Sequence, residues 1–195
     1  AKGNADEVHT FLQNAADSKQ MQLRAKLLHQ LTVKDQTDLK ADILEQHIQL
    51  APAQGDLPEE IYIPYLLSPR VEHETLTAFR QGLLDAFSAE QKELFAADPH
   101  QLWAWILQHI SSNDDREYGS LTTTPNALLK VGYGSHNSKK VLFTAICRTI
   151  GVPARINPET HAVQFYRDGS FHNVEQSEQG SVLPFTLLSG DDTKW

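Results

Sequence analysis

Residues 135–155 constrain the fold of this 195-residue chain more than any other stretch. From Ser135 to Ile150 the pattern is that of a helix, Gly151 follows directly, and strand-like residues begin near Val152. A glycine at the end of a helical pattern is typical of a helix C-terminus, because glycine readily takes the left-handed conformation found there. The sequence therefore predicts a helix that passes at once into a β-strand.

Helical patterns dominate the part of the chain that precedes this stretch. Apolar residues recur at helical spacing through residues 1–50, and the segment from Pro52 to Pro58 interrupts the pattern. An apolar run at residues 61–67, interrupted by Pro64, predicts extended chain. Further helices are predicted from Arg70 to Phe87, from the capping box at Ser88, from Asp98-Pro99 to Ile110, and from Thr124-Pro125 to Gly132.

Strand-like segments fill the end of the chain. They lie at residues 152–156, 161–166, 171–174 and 181–187. Because helices come first and antiparallel strands last, the sequence predicts an α+β fold.

Composition argues against several classes of partner. The net charge of −8 disfavours nucleic acid and anionic membrane surfaces, and no run of lysine or arginine opposes this. No apolar stretch approaches the roughly 20 residues that a membrane-spanning helix needs. The single cysteine excludes an internal disulfide and a cysteine-rich zinc site. We therefore expect no nucleic-acid partner, no membrane span, no cofactor and no metal.

The Asp168-Gly169 pair predicts a two-residue turn and thereby the register of a hairpin. The predicted pairs are Arg167 with Ser170, Tyr166 with Phe171, Gln164 with Asn173, and Ala162 with Glu175. Since side chains alternate along a strand, His161 and Glu175 are expected on opposite faces of the sheet. Thr160 shares the face of Glu175 in this register.

The ending Gly151-Val-Pro-Ala-Arg155 resembles the signature that follows the nucleophile helix in the transglutaminase-like, papain-related superfamily. The resemblance implies a core in which that helix packs on a small antiparallel sheet. A cysteine begins the helix in this superfamily, and a histidine polarised by an acid on the adjacent strand completes the site. The corresponding positions here hold His136, then His161 or by hairpin register Thr160, and Glu175.

Two departures from the superfamily pattern predict a loss of catalysis. His136 cannot form the thioester that cysteine chemistry requires, and His161 falls out of register with Glu175. Cys147 does not replace the missing thiol, because it lies roughly 16 Å further along the helix, where burial raises a thiol pKa. A bulge near Thr160 or a three-residue loop would restore the histidine and acid pair.

The chain resembles a branch of the superfamily from gut bacteria that lacks the cysteine. The resemblance covers about residues 60–175, and the matching segments include residues 68–74, 124–125, 137–143, 147–148 and 155–160. It implies a helical N-terminal region at 1–57 and a catalytically degenerate core at 58–195, truncated at its C-terminal end. This core would be a binding or scaffolding module of a larger exported bacterial protein, in the cell envelope or outside the cell, and would contact other domains of the same chain.

Ligand-binding candidates lie on the hairpin and near the start of the signature helix. An amphipathic, hydrogen-bonding face suited to a peptide or a sugar would be formed by Gln164, Tyr166, Phe171 and Asn173, with Ser138 as a further candidate. A structural pair of Tyr166 and Phe171 that seals the strands against a helix is an equal alternative.

Other chemistries remain open from the sequence. One is an active hydrolase or transferase, of the peptidase or amidase type, that uses Ser135 or Ser138 as nucleophile with His136 or His161 as base. Another is a metal site at His136, His161 and His172, although no zinc spacing supports it and scattered histidines are favoured. Two arginines, Arg70 and Arg155, are expected to be structural, with Glu72 or Glu74 as a partner.

Overall fold

The computed structural model describes residues 3–112 and 122–175. Helices in these ranges are α1 (Ala5–Gln13), α2 (Ser18–Gln30), α3 (Val33–Asp38), α4 (Ala41–Gln49), α5 (Glu59–Tyr62), α6 (Arg80–Ala86), α7 (Ala89–Ala97), α8 (Pro99–His109), α9 (Pro125–Val131) and α10 (His136–Thr149). Strands are β1 (Ser111–Ser112), β2 (Tyr133–Gly134), β3 (Ala154–Ile156), β4 (Val163–Arg167) and β5 (Ser170–Asn173). The arrangement is α+β, as predicted.

The first four helices enclose an apolar core of their own. Helix α3 begins with a capping box, in which Thr32 and Asp35 satisfy each other's backbone N–H groups. The core also includes residues of α5 and of a π-helix, Ile63–Leu67. Its buried side chains are Phe11, Leu27, Leu28, Leu31, Leu39, Ala41, Leu44, Tyr62, Ile63, Leu66 and Leu67.

A second apolar core surrounds α10. The helix packs against α6, α8, α9, β3 and β4, and every residue from Val141 to Thr149 is buried. Leu142 and Phe143 are fully buried, and burial of each side chain contributes about 1.5–3 kcal/mol to stability. Gly151 ends the helical segment with φ of 97°, the left-handed conformation that its position predicts. Helix α10 therefore lies inside the fold, and its first turn reaches the surface.

Strands β3, β4 and β5 form an antiparallel meander with the predicted register. Arg167 pairs with Ser170, Tyr166 with Phe171, and Gln164 with Asn173. The Val174 amide donates to the Val163 carbonyl at 3.0 Å, which continues the register toward Glu175. Asp168 and Gly169 have φ of 51° and 82°, as a type I′ turn requires. The hairpin prediction is thus confirmed at the level of individual residue pairs.

Residues 61–67 are helical, so the prediction of extended chain was wrong. Pro64 lacks an N–H and cannot make the regular helical hydrogen bond. The chain accommodates it in the wider π-helical turn, in which the Ser68 amide donates to the Ile63 carbonyl at 2.9 Å, five residues back.

The helix predicted from Arg70 begins only at Arg80. The Glu74 carboxylate accepts the backbone N–H groups of Val71 and Glu72, each at 2.9 Å. Such local bonds between side chain and backbone compete with helix formation and hold a turn instead. The strand predicted at residues 181–187 lies outside the described residues. No helix within 3–112 or 122–175 has the length and apolarity to cross a membrane.

Candidate functional site

The first turn of α10 is built on a serine cap. The Ser135 hydroxyl accepts the Ser138 amide at 3.1 Å, so His136 becomes the first residue of the helix. The amides of a helix start and the helix dipole create a positive environment there. The side chain of His136 is 54% exposed and points to the surface.

Glu175 brings the end of the hairpin to this helix start. Its Oε1 lies 2.7 Å from Nε2 of His136, and its Oε2 lies 3.3 Å from Nζ of Lys140. His136 and Lys140 are one helical turn apart, so both face the same carboxylate. The structure therefore joins two predicted site residues, His136 and Glu175, through a contact that the sequence analysis did not foresee.

An open pocket of about 580 Å³ lies beside this contact. Trp103 forms part of it and meets the imidazole of His136 edge to face, with 5.8 Å between ring centroids. Nδ1 of His100 lies 3.2 Å from the Val174 carbonyl oxygen. The lining residues are His100, Trp103, Ala104, Leu107, His136, Val174 and Glu175.

His161 and Thr160 lie in the turn before β4 and do not join the site. The strand predicted from His161 begins at Val163, because His161 takes a left-handed conformation with φ of 54°. The Asn157 side chain accepts the Thr160 amide at 3.2 Å and holds this turn. His161 contributes its backbone carbonyl, which accepts a hydrogen bond from Lys140 at 2.7 Å. Within the described residues, the His161 imidazole makes no ion pair with Glu175.

Ser138 faces the interior. It is fully buried, and its hydroxyl accepts the Thr123 amide at 3.0 Å and a hydrogen bond from the Ser135 hydroxyl at 3.3 Å. Among the described residues, neither serine hydroxyl bonds to a histidine. Ser138 therefore holds the helix start in place from the interior and offers no surface for a ligand.

The other four ligand candidates share one face of the hairpin, together with Arg155. Gln164 joins two neighbours, since its Oε1 accepts from Arg155 Nε at 2.8 Å and its Nε2 donates to Asn173 at 2.8 Å. Phe171 lies against Tyr166 at 5.2 Å between centroids. We call this surface the hairpin platform and define it by Tyr65, Arg155, Gln164, Tyr166, Phe171 and Asn173.

A sequence model of the transglutaminase-like superfamily matches residues 82–175. Residues 82–175 form a transglutaminase-like domain. Neither the curated proteins nor the solved structures include a match to this chain. The matched segment begins in α6 and ends at Glu175, so it includes α10, the three-stranded sheet and the pocket.

The three histidines of the alternative metal site, His136, His161 and His172, do not converge. His172 stacks on Phe165 at 5.6 Å, and its Nε2 lies 3.1 Å from the Arg167 carbonyl oxygen, whereas His136 meets Glu175. In residues 3–112 and 122–175, no group of three or more histidine, cysteine, aspartate or glutamate side chains is placed to hold a metal ion.

Cys147 is sealed in the core of the transglutaminase-like domain. It has no exposed surface, and burial raises the pKa of its thiol well above the ordinary value. A thiolate is the reactive form of cysteine, so this thiol is chemically inert in the folded state.

A buried arginine joins the domain to the preceding helices, and the sequence analysis missed it. Arg80 has no exposed surface, and its Nε donates to Nδ1 of His47 at 3.1 Å. Its terminal nitrogens donate to the carbonyls of Arg148 at 2.6 Å, Leu67 at 3.2 Å, and Leu66. The local sequence around Arg80 does not indicate that it is a buried donor, because its acceptors are backbone oxygens distant in sequence.

His47 is held in one protonation state by the same contacts. Its Nε2 lies 2.9 Å from the Thr77 carbonyl and donates to it, so Nδ1 is unprotonated and accepts from Arg80. Burial, together with the neighbouring Arg80 charge, lowers the pKa of His47 to about 3. Burial also lowers the pKa of Arg80 to about 9.

Arg148, on α10, makes a second set of hydrogen bonds that link this helix to the preceding part of the chain. Its guanidinium donates to the carbonyls of Ala154 at 3.0 Å, Ser68 at 2.9 Å and Arg70 at 2.6 Å. Arg70 in turn pairs with Asp35 of α3 and lies 3.5 Å from Glu74. The predicted structural role of Arg70 is thus confirmed, with Asp35 as an additional partner.

Proposed function

We propose that this protein is a catalytically degenerate transglutaminase-like domain that acts as a binding or scaffolding module. Its ligand is a peptide or a glycan, and it works as part of a larger exported bacterial protein in the cell envelope or outside the cell. The matched superfamily supports the domain type, and resemblance to the branch without the cysteine motivates the export. Fractionation of the source cells with an antibody to the domain tests the location.

The contact between His136 and Glu175 carries this proposal. In the superfamily signature, the first residue of this helix is the nucleophile, and here it is an imidazole 2.7 Å from a carboxylate. The superfamily acid serves a histidine that activates the nucleophile. In this chain the acid at Glu175 instead pairs with the residue at the nucleophile position, and among the described residues no second histidine pairs with this acid.

Two further observations support the loss of chemistry. His161 precedes β4 with a left-handed backbone, and among the described residues its imidazole makes no ion pair with Glu175. Cys147 is fully buried on α10, far from that start.

The hairpin platform and the pocket beside it support a binding role. Asn173 and Glu175 are two residues apart, so their side chains lie on the same side of the hairpin. The platform supplies aromatic and amide groups, and the pocket supplies Trp103 and two imidazoles. Both surfaces combine apolar area with a few directed polar groups, which is typical of small-ligand sites.

Activity-based probes test the proposal against the rival enzyme with a rearranged serine site. The whole protein is incubated with a fluorophosphonate and with an acylating glutamine peptide, and adducts are located by mass spectrometry. We expect no adduct at Ser135 or Ser138. A fluorophosphonate adduct that disappears in Ser135→Ala, with the fold retained, would establish a serine enzyme and refute the degenerate assignment.

A gain-of-thiol variant sharpens the same test. In His136→Cys, the helix start and Lys140 favour the thiolate whereas the Glu175 carboxylate opposes it, so the rate of iodoacetamide labelling measures how reactive a thiol at this position becomes. Because His161 stays outside the site, we expect no turnover of peptide or ester substrates. Turnover in this variant would show that the remaining machinery is intact and that only one residue separates the domain from activity.

A further inference from the structure

The Arg155 guanidinium is held on the hairpin platform by aromatic rings and one hydrogen bond. Its Nε donates to Gln164, and its central carbon lies 3.9 Å from the centroid of the Phe171 ring and 5.6 Å from that of Tyr65. Stacking on aromatic rings and a hydrogen bond at Nε together fix the plane of the guanidinium. The two terminal nitrogens therefore have a defined direction.

The charge of Arg155 has no carboxylate partner among residues 3–112 and 122–175, and its terminal nitrogens make no hydrogen bond within them. Each of the other arginines in these ranges bonds through at least one terminal nitrogen. Arg24 and Arg70 pair with carboxylates, whereas Arg80, Arg148 and Arg167 donate to backbone carbonyls. In a chain with a net charge of −8, an oriented cation with no carboxylate partner among the described residues is a notable feature.

Asn173 adds a second donor beside this cation. Arg155 Nε can only donate, so the Gln164 oxygen must face it and the Gln164 amide nitrogen must face Asn173. Oδ1 of Asn173 accepts that nitrogen, which leaves Nδ2 as the outward donor of an exposed side chain. The Arg155 terminal nitrogens and Nδ2 of Asn173 are therefore two donors that flank the Gln164 carboxamide.

We propose that the hairpin platform binds a carboxylate group of the ligand, through the Arg155 terminal nitrogens and Nδ2 of Asn173. A planar guanidinium matches the two oxygens of a carboxylate with parallel hydrogen bonds. The carboxylate belongs to an acidic sugar or to a peptide C-terminus, since both present the same chemistry. This inference rests on the proposed binding function and adds the chemical group that the platform recognises.

Matched ligand pairs test the inference on the whole protein. One pair is a glucuronic acid disaccharide and its methyl ester, and the other is trialanine with a free or an amidated C-terminus. Binding is followed by NMR shifts of the Arg155 Nε–H and the Asn173 side-chain amide. We expect shifts with at least one carboxylate ligand and none with its neutral match, and weaker binding at 0.5 M salt because charges are screened. The responding pair identifies the source of the carboxylate.

Substitutions of the two donors distinguish their effect on ligand binding from their effect on folding. Arg155→Gln should weaken binding by about tenfold or more, as expected for loss of a bidentate charged contact, and Arg155→Lys should fall between it and the wild type. Arg167→Gln, which removes a cation elsewhere on the same hairpin, should bind like the wild type. Asn173→Asp places a carboxylate beside Arg155 and should abolish binding with the melting temperature retained, so it serves even if Arg155→Gln fails to fold.

Equal binding of the neutral ligands, binding unchanged in Asn173→Asp, or no binding of either carboxylate would overturn the inference. These outcomes leave the degenerate assignment in place, because that assignment depends on the covalent probes at the helix start. Conversely, a serine adduct would refute the degenerate assignment without affecting the measured carboxylate binding.

Discussion

Nδ1 of His47 accepts a hydrogen bond from Nε of Arg80 at 3.1 Å, in a position where both side chains are fully buried. The bond connects helix α4 of the N-terminal core with helix α6, in which the transglutaminase-like domain begins. It exists only while the imidazole is neutral, because a protonated Nδ1 cannot accept and would confront the guanidinium charge. The link between the two cores is therefore sensitive to acid.

Stability should fall with decreasing pH through the titration of His47. Its pKa is about 3 in the folded protein and near 6.5 in the unfolded chain, so between these values the unfolded chain binds a proton that the folded protein excludes. The contribution is fully present above pH 6.5 and is lost as the pH falls toward 3, by up to about 1.4 kcal/mol per pH unit. Urea unfolding from pH 4.5 to 6.5 measures this slope.

The variant His47→Gln removes the titrating group and keeps polar atoms. Its unfolding free energy should vary less over the same pH range, whereas His109→Gln at an exposed site should retain the wild-type slope. Parallel pH profiles for the wild type and His47→Gln would contradict the assignment of the acid sensitivity to this residue.

Replacement of Arg80 should be among the most damaging single changes in the chain. Arg80→Met leaves the carbonyls of Leu66, Leu67 and Arg148 buried without a donor, which we expect to cost about 3–5 kcal/mol. Arg80→Lys should recover part of the loss. Guanidinium chloride unfolding checks the order, with Arg167→Met as the control. A stability of Arg80→Met equal to that of the control would show that the buried contacts contribute little.

Cys147 should be unreactive in the native protein and reactive after unfolding. Burial raises its thiol pKa, so the thiolate fraction at neutral pH is negligible, and no reagent reaches it. Titration with Ellman's reagent should give no reaction in buffer and one thiol per chain in denaturant. Cys147→Ala should lower stability by about 1 kcal/mol and leave ligand binding intact. Rapid native labelling would show that α10 opens readily.

The pair of His136 and Glu175 should show a modest but measurable coupling. Because His136 is half exposed and Lys140 shares the carboxylate, a double-mutant cycle with His136→Ala and Glu175→Ala should give about 0.5–1 kcal/mol. The same cycle with His172→Ala in place of His136→Ala should give none, since His172 faces Arg167 and Ser170. Equal coupling in both cycles would mean that the values report general destabilisation.

Local sequence signals were sufficient to predict the hairpin and most helix ends. The Asp168-Gly169 turn permits one strand register, and that register occurs in the structure. Gly151, the Ser88 capping box and Asp98-Pro99 act over a few residues, so they could be read directly from the chain. The exceptions were the segments around Pro64 and Glu74, where a π-turn and side-chain bonds to the backbone replaced the expected structure.

The candidate site depended on contacts that no local signal encodes. Register alone placed Glu175 away from His161, but only the packing of the hairpin end on α10 set it against His136 and Lys140. Likewise, Arg80 and His47 are 33 residues apart, and Arg80 meets the Arg148 carbonyl across 68 residues. Hairpin turns and helix caps are determined by residues that are neighbours in sequence. The partner of a long side chain is determined by the element that packs beside it. The amino-acid pattern therefore determined which strands pair and where α10 begins, and the tertiary structure decided that its first imidazole meets an acid.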